Sequence, residues 1–193
     1  MAKSGTLFVI SGPSCSGKNV VDEGVMALDK GIECSVSATT RPARAGETPG
    51  KDYVFLDEVE FRRRIDADAF VEWAEVHGHL YGTLREELNR RLRSGKDVLL
   101  ELDVQGMRRL KALRDDIVTV FIMAPSLDEL ERRMRRRGAN DEADIAVRLT
   151  NARSEIAARH EYDHIIVNEN VEEAVEALLA VVRERRAGTQ RRP

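Results

Sequence analysis

The residues best suited to chemistry stand near the start of the chain. Gly12-Pro13-Ser14-Cys15-Ser16-Gly17-Lys18 fits G-x-x-x-x-G-K, in which glycines turn the backbone so that a row of N–H groups faces phosphate oxygens. The lysine adds a point charge, and a helix beginning there adds the positive end of its dipole. A hydroxyl residue commonly follows and ligates Mg²⁺. Here Asn19 and Val20 follow, so the metal end of the pattern is incomplete. His160-Glu161-Tyr162-Asp163-His164 offers a rival chemistry, because H-E-x-x-H can set two zinc ligands one helical turn apart. Its context argues against zinc. The pair straddles a helix end and the strand-like run Ile165-Ile166-Val167, so the two imidazoles lose a common face. His77 and His79 flank a glycine and read as turn residues.

Elements that could position these residues follow from apolar patterning. Leu7–Ile10, Asp97–Leu102, Ile117–Met123 and His164–Val167 are consecutive apolar runs, as expected of strands covered on both faces in a parallel sheet. Ser126 with Glu129, and Asp57 with Glu60, have capping-box spacing; the first should open a helix ending near Gly138. Asn170 precedes a helix with Ala174, Leu178, Leu179 and Val182 on one face. A helix over Val20–Lys30 contains Gly24, at a cost of about 1 kcal/mol relative to alanine. The tail from Arg183 to Pro193 lacks an apolar face and is expected to fray. Residues 35–88 break the βα rhythm and read as a small, partly antiparallel insertion. The expected class is α/β, a parallel sheet flanked by helices.

Composition agrees. The 193 residues are 42% apolar and 34% charged, with 13 Gly and 5 Pro, which excludes collagen-like and disordered chains. With 31 Lys+Arg against 34 Asp+Glu, the net charge of −3 gives no support to a nucleic-acid or anionic-membrane partner. Cys15 and Cys34 are too few for a disulfide scaffold. No apolar run approaches the ~20 residues needed to span a bilayer, and no signal peptide is apparent, so a cytoplasmic location is expected.

Longer motifs narrow the reading. The stretch from Ser35 to Glu47, which includes Thr39-Thr40-Arg41-Pro42-Ala43-Arg44, closely resembles the signature of the guanylate kinases. So do Gly50-Lys51-Asp52-Tyr53, Phe70-Val71-Glu72-Trp73-Ala74, Tyr81-Gly82-Thr83 and Glu101-Leu102-Asp103-Val104-Gln105-Gly106. Pro125-Ser126-Leu127, Arg133, Arg137-Gly138, Arg148-Leu149 and Val167-Asn168 extend the resemblance along nearly the whole chain. It implies a P-loop core (1–34, 89–131 and 156–185), a GMP-binding insertion (35–88), a mobile lid (132–155) and a basic tail (186–193). It also implies the reaction ATP + GMP to ADP + GDP, with Mg²⁺.

By resemblance, residues Gly12 to Lys18 with Asn19 hold ATP, and Asn168 meets its adenine. Arg41, Arg44, Tyr53 and Tyr81 hold the GMP phosphate, which suits two arginines able to fork onto one phosphate. Glu72 can accept from the guanine N1–H and amino group, and Ser37, Thr83 and Asp103 assist at the base. Lys18, Arg41, Arg133, Arg137 and Arg148 are the expected catalytic cations, the last three from the lid. Arg132, Arg135 and Arg136 are read as solvated neighbours. Glu101 or Asp103 is the candidate to hold metal-bound water, and the residues do not decide which.

The departures cluster on the ATP side. Glycine usually stands where this chain has Cys15, and Ser-Thr or Gly-Thr where it has Asn19-Val20. The alternative to an active kinase is therefore a weakened guanylate-kinase-like domain that binds GMP or a phosphorylated partner.

Overall fold

The computed structural model describes residues 4–44, 46–76, 78–137 and 141–190. Five parallel strands form the main sheet: β1 (Leu7–Ser11), β2 (Ile32–Cys34), β7 (Asp97–Glu101), β8 (Val118–Met123) and β9 (His164–Val167), in the order β2-β7-β1-β8-β9. The side-chain period of two splits the core into two layers. Phe8 and Ile10 face helices α1 (Lys18–Leu28) and α7 (Val171–Gln190), meeting Val21, Val25, Leu178 and Val182. Leu7 and Val9 face helices α3 (Arg85–Arg93) and α4 (Val104–Leu113), meeting Leu88, Leu92, Met107 and Leu110. This is the α/β architecture expected from the apolar runs.

The segment expected to be an insertion builds a second sheet from β3 (Ser37–Thr39), β4 (Val54–Phe55), β5 (Phe70–Val76) and β6 (His79–Leu84), in the order β4-β3-β6-β5. Helix α2 (Glu58–Asp66) covers one face, capped by Asp57 on the Glu60 N–H at 2.7 Å. Phe61 of that helix stacks on Phe70 with ring centroids 4.4 Å apart and is fully buried. Truncating it to alanine removes the centre of this small core and is expected to cost about 3–5 kcal/mol. Urea unfolding of Phe61→Ala measures this, and an unchanged midpoint would mean that the stack holds nothing.

Several expected boundaries fall within continuous helices. The expected insertion end at residue 88 falls inside α3, because Leu88 and Leu92 belong to the main core. The expected lid start at 132 likewise falls inside α5 (Leu127–Arg136). Ser126 caps that helix on the Glu129 N–H, and Gly138, where it was expected to end, lies outside the described residues. The helix α6 (Glu142–Ala157) follows. The tail does not fray at Arg183, since α7 continues to Gln190. Arg186 ties it down by pairing with both Asp29 and Asp97 at 2.6 Å. Gly24 has a packing reason, because a Cβ there would lie 2.5 Å from Val175 Cγ2 where α1 crosses α7.

Candidate functional site

The loop between β1 and α1 is shaped for an anion. Gly12 and Gly17 adopt φ of 147° and 95°, conformations that other residues enter at a cost. Helix α1 opens with no side-chain cap and no acid in its first turn, so its leading N–H groups are free of side-chain competition. Lys18 Nζ donates to the loop's own carbonyls, Gly12 O at 2.7 Å and Pro13 O at 3.2 Å. Cys15 is also left-handed, at φ 66°, which gives the usual glycine at this position a physical basis. Its side chain packs against the buried cluster of Ala124, Leu130, Met134 and Ala152, where α5 meets α6. Ser14 is exposed, whereas Pro13 and Ser16 are buried.

Asn168 does not stand open to a base as the resemblance implied. It is 1% exposed, and its Nδ2 donates to Ser16 O at 2.8 Å, bracing the loop from below. Arg133 reaches the same place, donating to Asn168 O at 2.9 Å and Ser16 O at 3.4 Å while paired with Glu129 at 2.8 Å. The other two expected lid cations do not converge on the loop. Arg137 is exposed just beyond α5, and Arg148 is paired with Asp144 of its own helix. Arg135, expected to be a solvated neighbour, instead bridges Glu131 of α5 to Glu142 of α6. Arg132 and Arg136 stay on the surface, each near Glu129.

A cleft of about 370 Å³ runs from Asn19 on α1 to the second sheet, with Glu101, Asp103 and Arg109 along its floor. Ser37, Glu72, Tyr81 and Tyr53 line its far wall. Plain alternation would turn Glu72 to the same side as Phe70, into the core under α2. A bulge at Val71 shifts the register, so Glu72 stands opposite Thr83 and faces the cleft. Thr83 Oγ1 donates to Glu72 Oε1 at 2.8 Å. Burial pushes the Glu72 carboxyl upward; the Thr83 hydrogen bond opposes the rise, and Asp103 adds to it.

On the same sheet Arg41 lies over the Tyr53 ring, 5.4 Å from its centroid, and Tyr53 meets Tyr81 edge-on at 6.1 Å. Glu47, missed in the sequence reading, organises this corner. One carboxylate oxygen takes Arg41 Nη2 and the other the Arg44 N–H, both at 2.7 Å. Arg44 itself is exposed at the rim. Asp103 has a structural task as well, since its Oδ1 caps α4 on the Gly106 N–H at 2.6 Å. That leaves one oxygen for the cleft. Arg109 was also missed, although Asp103, Gly106 and Arg109 recur every three residues and so share a helix face.

Two carboxylates stand behind Lys18. Glu101 ends β7, and Asp22, unremarked in the sequence reading, sits in the second turn of α1 at 1% exposure. Burial, reinforced by Glu101, holds the Asp22 carboxyl well above its ordinary range. Burial also raises Glu101, with Lys18 and Asp22 pulling the other way. Burial, with these two acids beside it, pushes the Cys34 thiol up to about 12, so it stays neutral. The histidine pair is taken apart as expected: His160 lies in a 3₁₀ turn (Ala158–Glu161) and His164 opens β9. Among the described residues no group of three or more His, Cys, Asp or Glu could hold a metal ion.

Known proteins resemble this chain over nearly its whole length. The guanylate kinase from Thermotoga maritima is 46% identical over 187 residues, covering 97% of this chain and 90% of its own. That of Polaromonas sp. is 44% identical over 182 residues, covering 94% and 88%. The crystal structure of guanylate kinase from Anaplasma phagocytophilum superposes with a TM-score of 0.72 at 35% identity, covering 94% of this chain and 86% of that one. The model of the family described as "Guanylate kinase" matches residues 4–185, and this chain belongs to that family.

Proposed function

We propose that the protein transfers the γ-phosphoryl group of ATP to GMP, giving ADP and GDP. The observation that carries this reading is the single cleft that has a phosphate-type loop helix at one end and the Glu72–Thr83 pair at the other. The Gly12–Lys18 backbone and Lys18 bind the ATP phosphates. Lys18 must then exchange its bonds to Gly12 O and Pro13 O for phosphate oxygens. Arg41, Arg44, Tyr53 and Tyr81 grip the acceptor phosphate, with Glu47 holding Arg41 and the Arg44 backbone ready. Glu72 reads the guanine edge, with Ser37, Thr83 and the free oxygen of Asp103 beside it. Adenine has no donor at N1, so it leaves that carboxylate unpaired.

Aligning the two nucleotides and neutralising their charge is most of the catalysis in such a transfer. Arg133, Arg137 and Arg148 supply the lid's share once both substrates are bound. The residues also fit Mg²⁺, which is held by one or two carboxylates and substrate phosphates, since Glu101 and Asp103 line the cleft near Lys18. When bound, the ion neutralises phosphate charge. Glu101, whose side chain has no structural capping task, is the better placed to hold its water.

The test is an ADP-release assay with ATP, Mg²⁺ and each nucleoside monophosphate. Turnover is expected with GMP and little with AMP, CMP or UMP; turnover with AMP equal to that with GMP would sink the reading. Restoring the loop hydroxyls in Asn19→Ser/Val20→Thr is expected to lower the free Mg²⁺ at half-maximal rate. Matching Mg²⁺ titrations for the two proteins would make the loop's departure harmless. No comparison favours a weakened domain that only binds GMP or a phosphorylated partner, as relatives named guanylate kinase cover nearly the whole chain. Among the described residues no helix is long and apolar enough to cross a membrane, and we place the reaction in the cytoplasm.

A further inference from the structure

Asp22 is the buried ionisable group that the reaction as described leaves without a task. It is 1% exposed, and among the described residues its carboxyl meets the Glu101 carboxyl, with no basic, hydroxyl or backbone donor on either oxygen. Carboxylates this deep are ordinarily paired or bound to a cation. Its neighbours make the lack sharper. Glu101 lies beside it and adds negative charge, and the nearby Lys18 spends its ammonium on Gly12 O and Pro13 O.

Its place in the helix suggests what should fill the gap. Asp22 lies one turn after Lys18 and three residues after Asn19, and helical side chains lean toward the N-terminus. The carboxylate therefore lies under the first turn, below the position where a loop hydroxyl is missing. Asn19 and Glu101 both line the cleft at this point. Mg²⁺ keeps several waters and is commonly bound through one or two carboxylates together with substrate phosphates. An acid three residues further along the helix than the usual hydroxyl is set back from it by about 4.5 Å, a gap that a bridging water can span.

We propose that Asp22 and Glu101 together accept hydrogen bonds from the waters of the nucleotide-bound Mg²⁺, taking over the task of the hydroxyl absent at Asn19 and Val20. This rests on the ATP-site reading above. The two acids act on the ion's water shell and leave the GMP site untouched.

Calorimetric titration of ATP, without GMP, tests it in the presence of Mg²⁺ and again in EDTA. The ratio of the two dissociation constants measures how far the ion tightens ATP. In Asp22→Asn that ratio is expected to fall at least fivefold, with Mg²⁺-free ATP binding unchanged or tighter. A ratio equal to the wild type's would overturn the proposal, and so would equal weakening in both conditions, which marks a merely structural role. Adding Asn19→Ser/Val20→Thr to Asp22→Asn should restore the ratio; failure to do so would break the link to the missing hydroxyl. Should Asp22→Asn not fold, Glu101→Gln at the end of β7 carries the same comparison. GMP titrations of the wild type keep the two ideas apart, because absent GMP binding would count against the kinase reading and not against the acid pair.

Discussion

Lys18→Ala is expected to lower kcat for transfer to GMP by about 10²–10³-fold, the usual loss when one preorganised charge on a transferring group is removed. The loop around it should survive. Gly12 and Gly17 set the turn through their own backbone angles, and Asn168 and Arg133 hold Ser16 O from below. The lysine's two bonds in the ligand-free loop go to carbonyls that solvent can satisfy once the ammonium is gone. GMP affinity, measured without ATP, should stay within twofold, since Lys18 is not among the residues lining the guanine end of the cleft. A variant with normal kcat would remove Lys18 from the chemistry, and one that lost GMP binding as well would point to a collapsed loop.

Glu72→Ala is expected to weaken GMP use by about 1–3 kcal/mol, because guanine donors would be left facing an empty, desolvated wall. The loss should appear in KM and in the preference over AMP, whereas Arg41→Ala should damage acceptor binding whatever the base. A pH dependence follows from burial. Glu72 must be ionised to accept from both N1–H and the amino group, and its folded carboxyl is shifted upward. GMP affinity is therefore complete above that raised value and declines as pH falls through it, sooner than an ordinary glutamate would dictate. For stability the sign reverses. An acid whose folded pKa is raised binds protons better folded than unfolded, so its ionisation penalises the fold increasingly as pH rises. Glu72→Gln should consequently leave the empty protein at least as stable at neutral pH while losing GMP selectivity. A variant that kept wild-type GMP kinetics would end the assignment of base recognition to Glu72.

Much of this arrangement was legible in residue order. The apolar runs marked four of the five main-sheet strands, although only β1, β7 and β8 are covered on both faces and the edge strand β9 leaves Ile165 and Val167 about half exposed. Asp57, Ser126 and Asn170 marked helix starts through their own side-chain caps. Strand β2, with three residues and a half-buried Glu33, carries too little pattern to be read alone. Glu72 was recognised by resemblance, yet its orientation depends on a bulge that alternation cannot foresee. Asn168 kept its importance and changed its task, because its burial beneath Ser16 depends on where β9 ends against β1's loop. Glu47 was hidden because its partners, Arg41 and Arg44, were being read for what they offer a ligand. Asp22 did leave a trace: it interrupts the buried face that Val21 and Val25 present, a position where an apolar residue belongs.

The strand order also sets a timetable for the newborn chain. β1 is central, and both of its neighbours are made much later than it is: Leu7 pairs with Val98, and Phe8 with Val118. Such distant pairings make folding slow, since loop closure must precede any reward. At roughly 5–20 residues per second of synthesis, the Leu7–Ile10 edge spends several seconds or more outside the ribosome tunnel without either partner. The phosphate loop, which hangs from this strand, is therefore translated well before the strands that give it its shape. During that interval the apolar Leu7–Ile10 run has neither of its partner strands to cover it, well before any nucleotide could bind.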